Sequence, residues 1–511
     1  MKNILEYLER TVAYHKGAPA VDDGEICYSW QELFDVARSI GTAVYKKERC
    51  KKPIAVVMDK EADTLAAFLG IVYAGSFYVL VNPEYPNVRI EKILDILQTE
   101  LIVMDAKYEK KIRDCGYRGE LLDIESAKRC ALDEDILAQV RQESMDTDIL
   151  YGIFTSGSTG TPKGVIVDHR AVMDFIGYFT ELFGFTEQDI IGNQAPFDFD
   201  VSVKDIYTSI FTGAKLVLIP KHMFSMPPAL LDYLCEKKIT SLTWAVSALC
   251  IVTTLHGFEY RIPAEVKRVL FSGEVMPYKH LQAWREALPK AEFVNLYGPT
   301  EIICNCTYYR VKGDEVQEEA LPVGRAFPNR RVFLLDIEDR EIREPGRTGE
   351  ICVAGTSLAL GYYNNKEATE KSFMQNPLNH SYEERIYRTG DMGYYNDEGE
   401  LCFSGRKDFQ IKRMGHRIEL EEIQLTLEKV EGVVRACCVY KETDGKLVAF
   451  YMGNVDKKEL RRAVKKQIPG FMIPDKFFQV EEMPLTKNGK IHREELWKWY
   501  QEAKNDDVGK N

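Results

Sequence analysis

Apolar and polar positions along the chain switch repeatedly between two periods. Residues 53–58 form a continuous apolar run that predicts a buried strand, 64–74 an apolar helix, and 77–81 a second strand. Ile90, Ile93, Leu94 and Leu97 then recur at helical spacing, and 101–104 is another strand run. Alternation of this kind predicts α/β layers with parallel sheets. No internal repeat or long linker interrupts it. Residues 64–83 carry no charge over a length that would cross a bilayer, but Gly75 and Ser76 break the run in the middle. The stretch therefore reads as a buried helix followed by a strand, not a membrane span.

The pattern changes character near Gly405. Strand-like runs at 434–440 and 446–452 precede a helical pattern at 457–467, a strand at 476–480 and a polar tail at 501–511. Residues 409–511 hold 20 Lys+Arg against 17 Asp+Glu, whereas 1–408 hold 47 against 62. A small, slightly basic α+β unit of ordinary domain size thus follows a large acidic body. The expected organisation is a body over 1–404, a junction at 405–408 and a cap over 409–511, with a site in the cleft between them.

Composition narrows the class. The chain has 511 residues, 45% hydrophobic and 29% charged, which suits a large globular core and excludes disordered or fibrous classes. The net charge of −12 argues against a nucleic-acid partner. Twelve cysteines with no CxxC pair build neither a disulfide framework nor a zinc site. The N-terminal residues carry charge throughout and show no apolar leader core. A reduced, cytoplasmic protein without a membrane partner is expected, with no oligomeric state specified beyond a monomer as the default.

Residues 155–164, TSGSTGTPKG, concentrate hydroxyls, glycines and one lysine after an apolar strand run, with a further strand at 165–167. Glycines let backbone N–H groups wrap an anion, and Thr155, Ser156, Gly157, Ser158, Thr159 and Lys163 would add donors to phosphate oxygens at a hairpin tip. The spacing is not that of a Walker A loop, because Pro162 precedes Lys163 and Gly164 follows it. In NLYGPTE (295–301), Tyr297 offers a flat face to a purine, and Thr300 and Glu301 offer hard oxygen ligands suited to Mg²⁺. In YRTGD (387–391), a carboxylate such as Asp391 can accept hydrogen bonds from both hydroxyls of a ribose, although TGD alone reads equally as a turn before a strand.

These segments, in this order, resemble the signature motifs of the adenylate-forming superfamily, which includes acyl-CoA synthetases, luciferases and the adenylation domains of non-ribosomal peptide synthetases. FSGRKD (403–408), QIKRMGHRIELEEI (410–423) and PLTKNGKIHR (484–493) extend the resemblance over nearly the whole chain. It implies ATP held by Thr155, Ser156, Gly157, Ser158, Thr159, Lys163, Asn295, Leu296, Tyr297, Gly298, Pro299, Thr300, Asp391, Phe403, Arg406 and Lys490, with Mg²⁺ on Thr300 and Glu301. It also implies a pivot at Asp408 and a catalytic lysine, Lys490, on a mobile cap, where it would neutralise the substrate carboxylate and α-phosphate together. Lys412 and Arg413 read equally as site residues or as a solvated basic face.

The reaction so implied is ATP plus a carboxylate giving an acyl-adenylate and pyrophosphate, followed by attack of a thiol. In QAPFDFDVSVKD (194–205), an Asp at the place of Asp200 binds the substrate ammonium in amino-acid-activating members. A buried carboxylate needs such a counterion, and a fatty acid supplies none. Asp198 and Asp205 are nearby alternatives. The alignment places Val201, Lys204, Trp244, Leu270, Ser272, Gly273, Leu296, Cys304, Asn305 and Lys490 around the substrate, which points to a small or medium amino acid with Ser272 and Asn305 open to a polar group. Lys204 would pair with an acidic side chain or with Asp200, or point away; sequence leaves all three open. Residues 193–207 and 271–277 resemble D-alanine–carrier protein ligases, from which Ser272 and Lys204 depart. The expected activity is an amino acid:AMP ligase that loads the phosphopantetheine thiol of a separate carrier protein. Its rivals are an acyl- or aryl-CoA synthetase and, less favoured by the intact motifs, a non-catalytic adenylate sensor.

Overall fold

The computed structural model describes residues 2–48, 51–157, 160–313, 315, 320–441, 444–485 and 491–508, with backbone only for 505–508. Among the described residues the body is built on two large, mainly parallel sheets. One takes its parallel core from Pro53–Val57, Phe77–Leu80, Leu101–Met104, Glu120–Asp123 and Ile149–Thr155. The other sets Ile190–Asn193, Lys215–Leu218, Ser241–Ala245, Arg268–Ser272 and Glu292–Tyr297 in parallel register. Strands buried on both faces need continuous apolar runs, as in Pro53–Val57 and Leu101–Met104. The helices Trp30–Lys47, Ala62–Tyr73, His169–Phe183 and Val201–Thr212 join the two sheets through one core.

The uncharged stretch 64–83 is the buried helix Ala62–Tyr73 and the strand Phe77–Leu80, joined at Gly75 with φ 74°. Among the described residues no helix is long and apolar enough to cross a membrane.

A third, antiparallel sheet runs through Arg330–Leu335, Gly349–Gly355, Arg385–Tyr395 and Leu401–Arg406 and carries the chain to the junction. Beyond it lies a small α+β unit: the hairpin Gln410–Arg413/His416–Glu419, and a three-stranded sheet of Val433–Lys441, Lys446–Gly453 and Lys476–Gln479. Helices Leu420–Glu428, Lys457–Lys465 and Arg493–Val508 pack with these strands. The expected polar tail at 501–511 is therefore helical as far as Val508. Leu496, Trp497 and Tyr500 lie one helical face apart and bury against the sheet, which carries the following polar turns along with them.

Candidate active site

The parallel strands end at a cleft, where open α/β sheets place their ligands. Its walls include Ser272 at the end of Arg268–Ser272, Gly298, Pro299 and Thr300 just past Glu292–Tyr297, and Asp200 at the start of Val201–Thr212. From the small unit come Gln410, Lys412, Gly415, His416, Arg417, Phe471 and Met472.

The glycine-rich loop is a hairpin tip, as expected. Ile149–Thr155 pairs antiparallel with Lys163–Asp168, Thr155 opposite Lys163. A Cβ on Gly157 would sit 2.1 Å from the Thr161 carbonyl oxygen, so the tight return of the loop requires glycine there. Lys163 lies over the Tyr362 ring at 5.3 Å, and the Ser156 hydroxyl donates to the Arg417 carbonyl at 2.8 Å. Ser158 and Thr159 fall outside the described residues.

Tyr297 donates its hydroxyl to Asp391 Oδ2 at 2.5 Å, and the other Asp391 oxygen accepts from Arg406. Arg406 in turn makes a two-pronged bond to Asp408, at 2.6 and 2.9 Å. Asn295 donates to the Pro322 carbonyl at 2.9 Å. Phe403 packs against the main core and does not line the cleft. Lys490 falls outside the described residues; of its described neighbours, neither Leu485 nor Ile491 lines the cleft.

Glu301 is fully buried. Arg417 Nη1 reaches both its oxygens, at 2.8 and 2.7 Å, and the Tyr362 hydroxyl donates at 2.7 Å. Burial opposes ionisation of Glu301, but Arg417 and Tyr362 outweigh it and hold the carboxyl below the usual range. The site thus offers a buried anion with a hydroxyl, Thr300, beside it in sequence. That donor set fits Mg²⁺, provided the guanidinium gives way.

Asp200 is half-buried, and desolvation raises its carboxyl, opposed by Lys204, a hydrogen bond with Thr300, and Lys412. The alternatives are committed elsewhere. Asp198 also borders the cleft but accepts from Tyr85 at 2.7 Å and Asn82 at 3.1 Å, and Asp205 lies away from it, accepting from Asn193 at 2.9 Å. Val201, Ser272, Gly273 and Cys304 line the cleft beside Asp200. Lys204, Asn305 and Leu296 are buried one layer behind, and Leu270 belongs to the main core.

Trp244 does not belong to this wall. Successive strand residues face opposite ways, and Trp244 points to the far face of the sheet. There its indole donates to the Gly192 carbonyl at 2.8 Å and its ring meets Phe224 and Trp284 in a second core. The one-residue neighbour Thr243 pairs with Leu270 on the opposite face.

Sequence reasoning missed most of what the small unit contributes. Besides Arg417, His416 sits between Phe199 (4.4 Å, edge-on) and Phe471 (3.6 Å, stacked), Gly415 N–H donates to Glu274 at 2.9 Å, and Arg89 pairs with Glu422 at 2.5 Å with both side chains buried. Lys412 lies over the Tyr297 ring at 5.4 Å, whereas Arg413 turns inward to Asp475 and the Phe471 carbonyl. Only the clustering of charges in 412–422 signalled these contacts.

Comparison with known proteins matches residues 8–363 to the AMP-binding enzyme profile and 419–490 to the AMP-binding enzyme C-terminal domain. The chain belongs to the AMP-binding enzyme family. It is an adenylate-forming enzyme of the ligase type, acting with ATP. Its relatives include tyrocidine synthase 1 of Brevibacillus parabrevis, 31% identical over 92% of this chain and 42% of the relative. Zwittermicin A synthase ZmaJ of Bacillus cereus is 31% identical over 87% of this chain and 84% of the relative. The chain spans less than half the length of tyrocidine synthase 1 and of several other curated relatives. The fold is shared with the Vibrio cholerae adenylation domain AlmE in complex with glycyl-adenosine-5'-phosphate (TM-score 0.86, 22% identity, 98% of each chain). It is shared equally with the o-succinylbenzoate CoA synthetase MenE of Bacillus subtilis (TM-score 0.83, 20% identity, 97% of this chain and 98% of that one).

Proposed function

We propose that this AMP-binding enzyme activates an amino acid as its aminoacyl-adenylate, releasing pyrophosphate, and passes the acyl group to the phosphopantetheine thiol of a carrier protein. The observation that carries the reading is Asp200, a half-buried carboxylate on the cleft wall beside Ser272, Gly273 and Cys304, with no other described side chain in an ion pair with it. A substrate ammonium supplies the counterion this place needs. Asp391 with Tyr297 would take the ribose, the 155–164 loop with Lys163 the phosphates, and Mg²⁺ would bind Glu301 and Thr300 in exchange for Arg417, adding charge neutralisation as pyrophosphate leaves. Lys490 would stabilise the same charge from the cap, which turns about 405–408 and Asp408 between the two half-reactions. Its free thiols and the basic balance of 409–511 fit a reduced, cytoplasmic setting and an acidic carrier.

The test is ATP–pyrophosphate exchange over a panel of L- and D-amino acids, with fatty and aryl acids included, followed by loading of a separately purified holo-carrier. A response to one amino acid, lost in Asp200→Ala, is the expected result. Exchange driven only by plain carboxylic acids, with CoA as acceptor, would overturn the reading in favour of a CoA synthetase.

A further inference from the structure

The segment that brings Asp200 to the cleft continues a strand of one large sheet but is gripped from the other. It leaves the strand Ile190–Asn193 and runs from Gln194 to Asp200, where the helix Val201–Thr212 begins. Its strand is losing partners at that point. The ladder with Ser241–Ala245 stops where Leu242 faces Gly192, and the Gly192 carbonyl accepts from the Trp244 indole instead. Carbonyls released from a ladder inside a protein need other donors.

Lys60 supplies them. It lies in the turn between Pro53–Val57, a strand of the other sheet, and the helix Ala62–Tyr73. Its ammonium donates to the carbonyls of Ile219 at 2.8 Å, Gln194 at 3.2 Å and Asn193 at 3.3 Å. Ile219 stands one residue past the strand Lys215–Leu218, which pairs in parallel with Ile190–Asn193, so two neighbouring strand ends meet on one nitrogen. An ammonium has three N–H donors, and here each has a backbone acceptor. Among the described residues Lys60 makes no ion pair; burial pushes it down to about 7 against the pull of Asp205. A cation taken out of water without a carboxylate partner is costly, which sets this cage apart from an ordinary surface lysine.

Two more grips follow from the same side. The Phe197 ring packs on Phe68 of Ala62–Tyr73 at 5.7 Å, and Asp198 accepts from Asn82 and Tyr85, which follow the strand Phe77–Leu80. Asp200 is two residues beyond the last of them.

We propose that Lys60 is a positioning residue: by gathering the Asn193, Gln194 and Ile219 carbonyls it anchors the start of 194–200 against the neighbouring sheet, and so sets where Asp200 meets the substrate. The consequence for the substrate rests on the amino-acid reading above; the anchoring does not.

The experiment compares Lys60→Met, which keeps the stem and removes charge and donors, with Lys60→Arg, whose planar head keeps the charge but does not match three carbonyls around a point. Two readouts are taken on the full chain: amide hydrogen exchange by segment, and ATP–pyrophosphate exchange kinetics for ATP and for the amino acid that drives the wild type. Hydrogen bonds from a charged donor carry an effect of about 10- to 100-fold. In Lys60→Met the amides of 194–200 should exchange faster by about that factor, while those of the strand Leu101–Met104 keep the wild-type rate. The amino-acid KM should rise by a similar factor and the ATP KM should stay unchanged. Lys60→Arg should move the same quantities in the same direction by less, and it decides alone if Lys60→Met does not fold. Unchanged exchange at 194–200, faster exchange throughout the body with a lower melting midpoint, or parallel rises in both KM values would overturn the anchor. A wild-type protein that answers only to plain acids refutes the amino-acid reading instead, and the hydrogen-exchange comparison then decides Lys60 by itself.

Discussion

The pair between Arg417 and Glu301 makes the sharpest prediction, because it joins the small unit to the carboxylate proposed to hold Mg²⁺. Consider Arg417→Met, which keeps the stem and removes the charge. Breaking a buried pair by removing one partner costs about 3–5 kcal/mol. The Arg417 side chain retains 19% exposure while Glu301 has 1%, so the lower end applies, about 3 kcal/mol. At about 1.4 kcal/mol per tenfold, the variant should populate this docked arrangement roughly 100-fold less. Glu301 keeps its bonds with Tyr362 and Tyr387 and is open to a metal ion. The assay separates the half-reactions: Mg²⁺-dependent ATP–pyrophosphate exchange for adenylation, and transfer from preformed aminoacyl-adenylate to a holo-carrier for the second step. Exchange should persist and saturate at lower Mg²⁺, and transfer should fall by one to two orders of magnitude. Equal loss of both half-reactions, or exchange that collapses while transfer survives, would refute the argument that this contact holds the transfer arrangement in competition with the metal.

Three further predictions follow from other parts of the molecule. Asp200→Ala should abolish amino-acid-dependent exchange while leaving the melting temperature near that of wild type, since no ion pair is broken; retained exchange would remove Asp200 from the substrate site. Asp408→Ala frees Arg406 from its two-pronged bond and leaves it to Asp391 and the Thr389 carbonyl, so the two half-reactions should be impaired unequally; an equal effect in the same two assays would argue against a pivot there. His169 is buried, accepts from the Ile4 N–H, and burial lowers its pKa to about 4 from an ordinary value near 6.5. With the folded value below the unfolded one, its share of stability, about 3 kcal/mol, is complete above pH 6.5 and is lost as pH falls towards 4. Denaturant melts at stepped pH should show this slope flattened in His169→Gln, and an unchanged slope would assign the acid sensitivity to other groups.

The elements legible in the sequence were those whose own chemistry specified them. The run 101–104 is the strand Leu101–Met104, and Ile90, Ile93, Leu94 and Leu97 face the core from the helix Asn87–Leu97, because apolar periodicity is a local property. The hairpin tip at 155–164 and the turn after Glu292–Tyr297 were legible for the same reason. Glycines at 157 and 298 and the residues around them occupy short segments whose order is preserved. Face assignment was harder. Trp244 sits in a strand buried on both sides, where composition gives no alternation to fix which face a residue takes, and its ring lies in the second core instead of on the wall. The helix after Arg493 was readable in principle from Leu496 and Tyr500, four residues apart, but its polar last turns masked the signal.

The contacts between the body and the small unit lie beyond any local pattern. Arg417 is separated from Glu301 by 116 residues, and Arg89 from Glu422 by 333. Nothing near either arginine distinguishes it from a solvated charge. What the structure adds is the electrostatic logic of the cleft. The carboxylates assigned to ribose and metal, Asp391 and Glu301, are each already matched by an arginine, from Arg406 and Arg417. Buried anions stay ionised only when so matched, and a second cation can replace the first only where it also neutralises the carboxylate. On the proposed reaction Glu301 and Thr300 would hold Mg²⁺, so the metal and Arg417 of the small unit would compete for one carboxylate. That competition would order the two half-reactions, because Arg417 on the hairpin 410–419 can dock on Glu301 only while the carboxylate is not otherwise engaged.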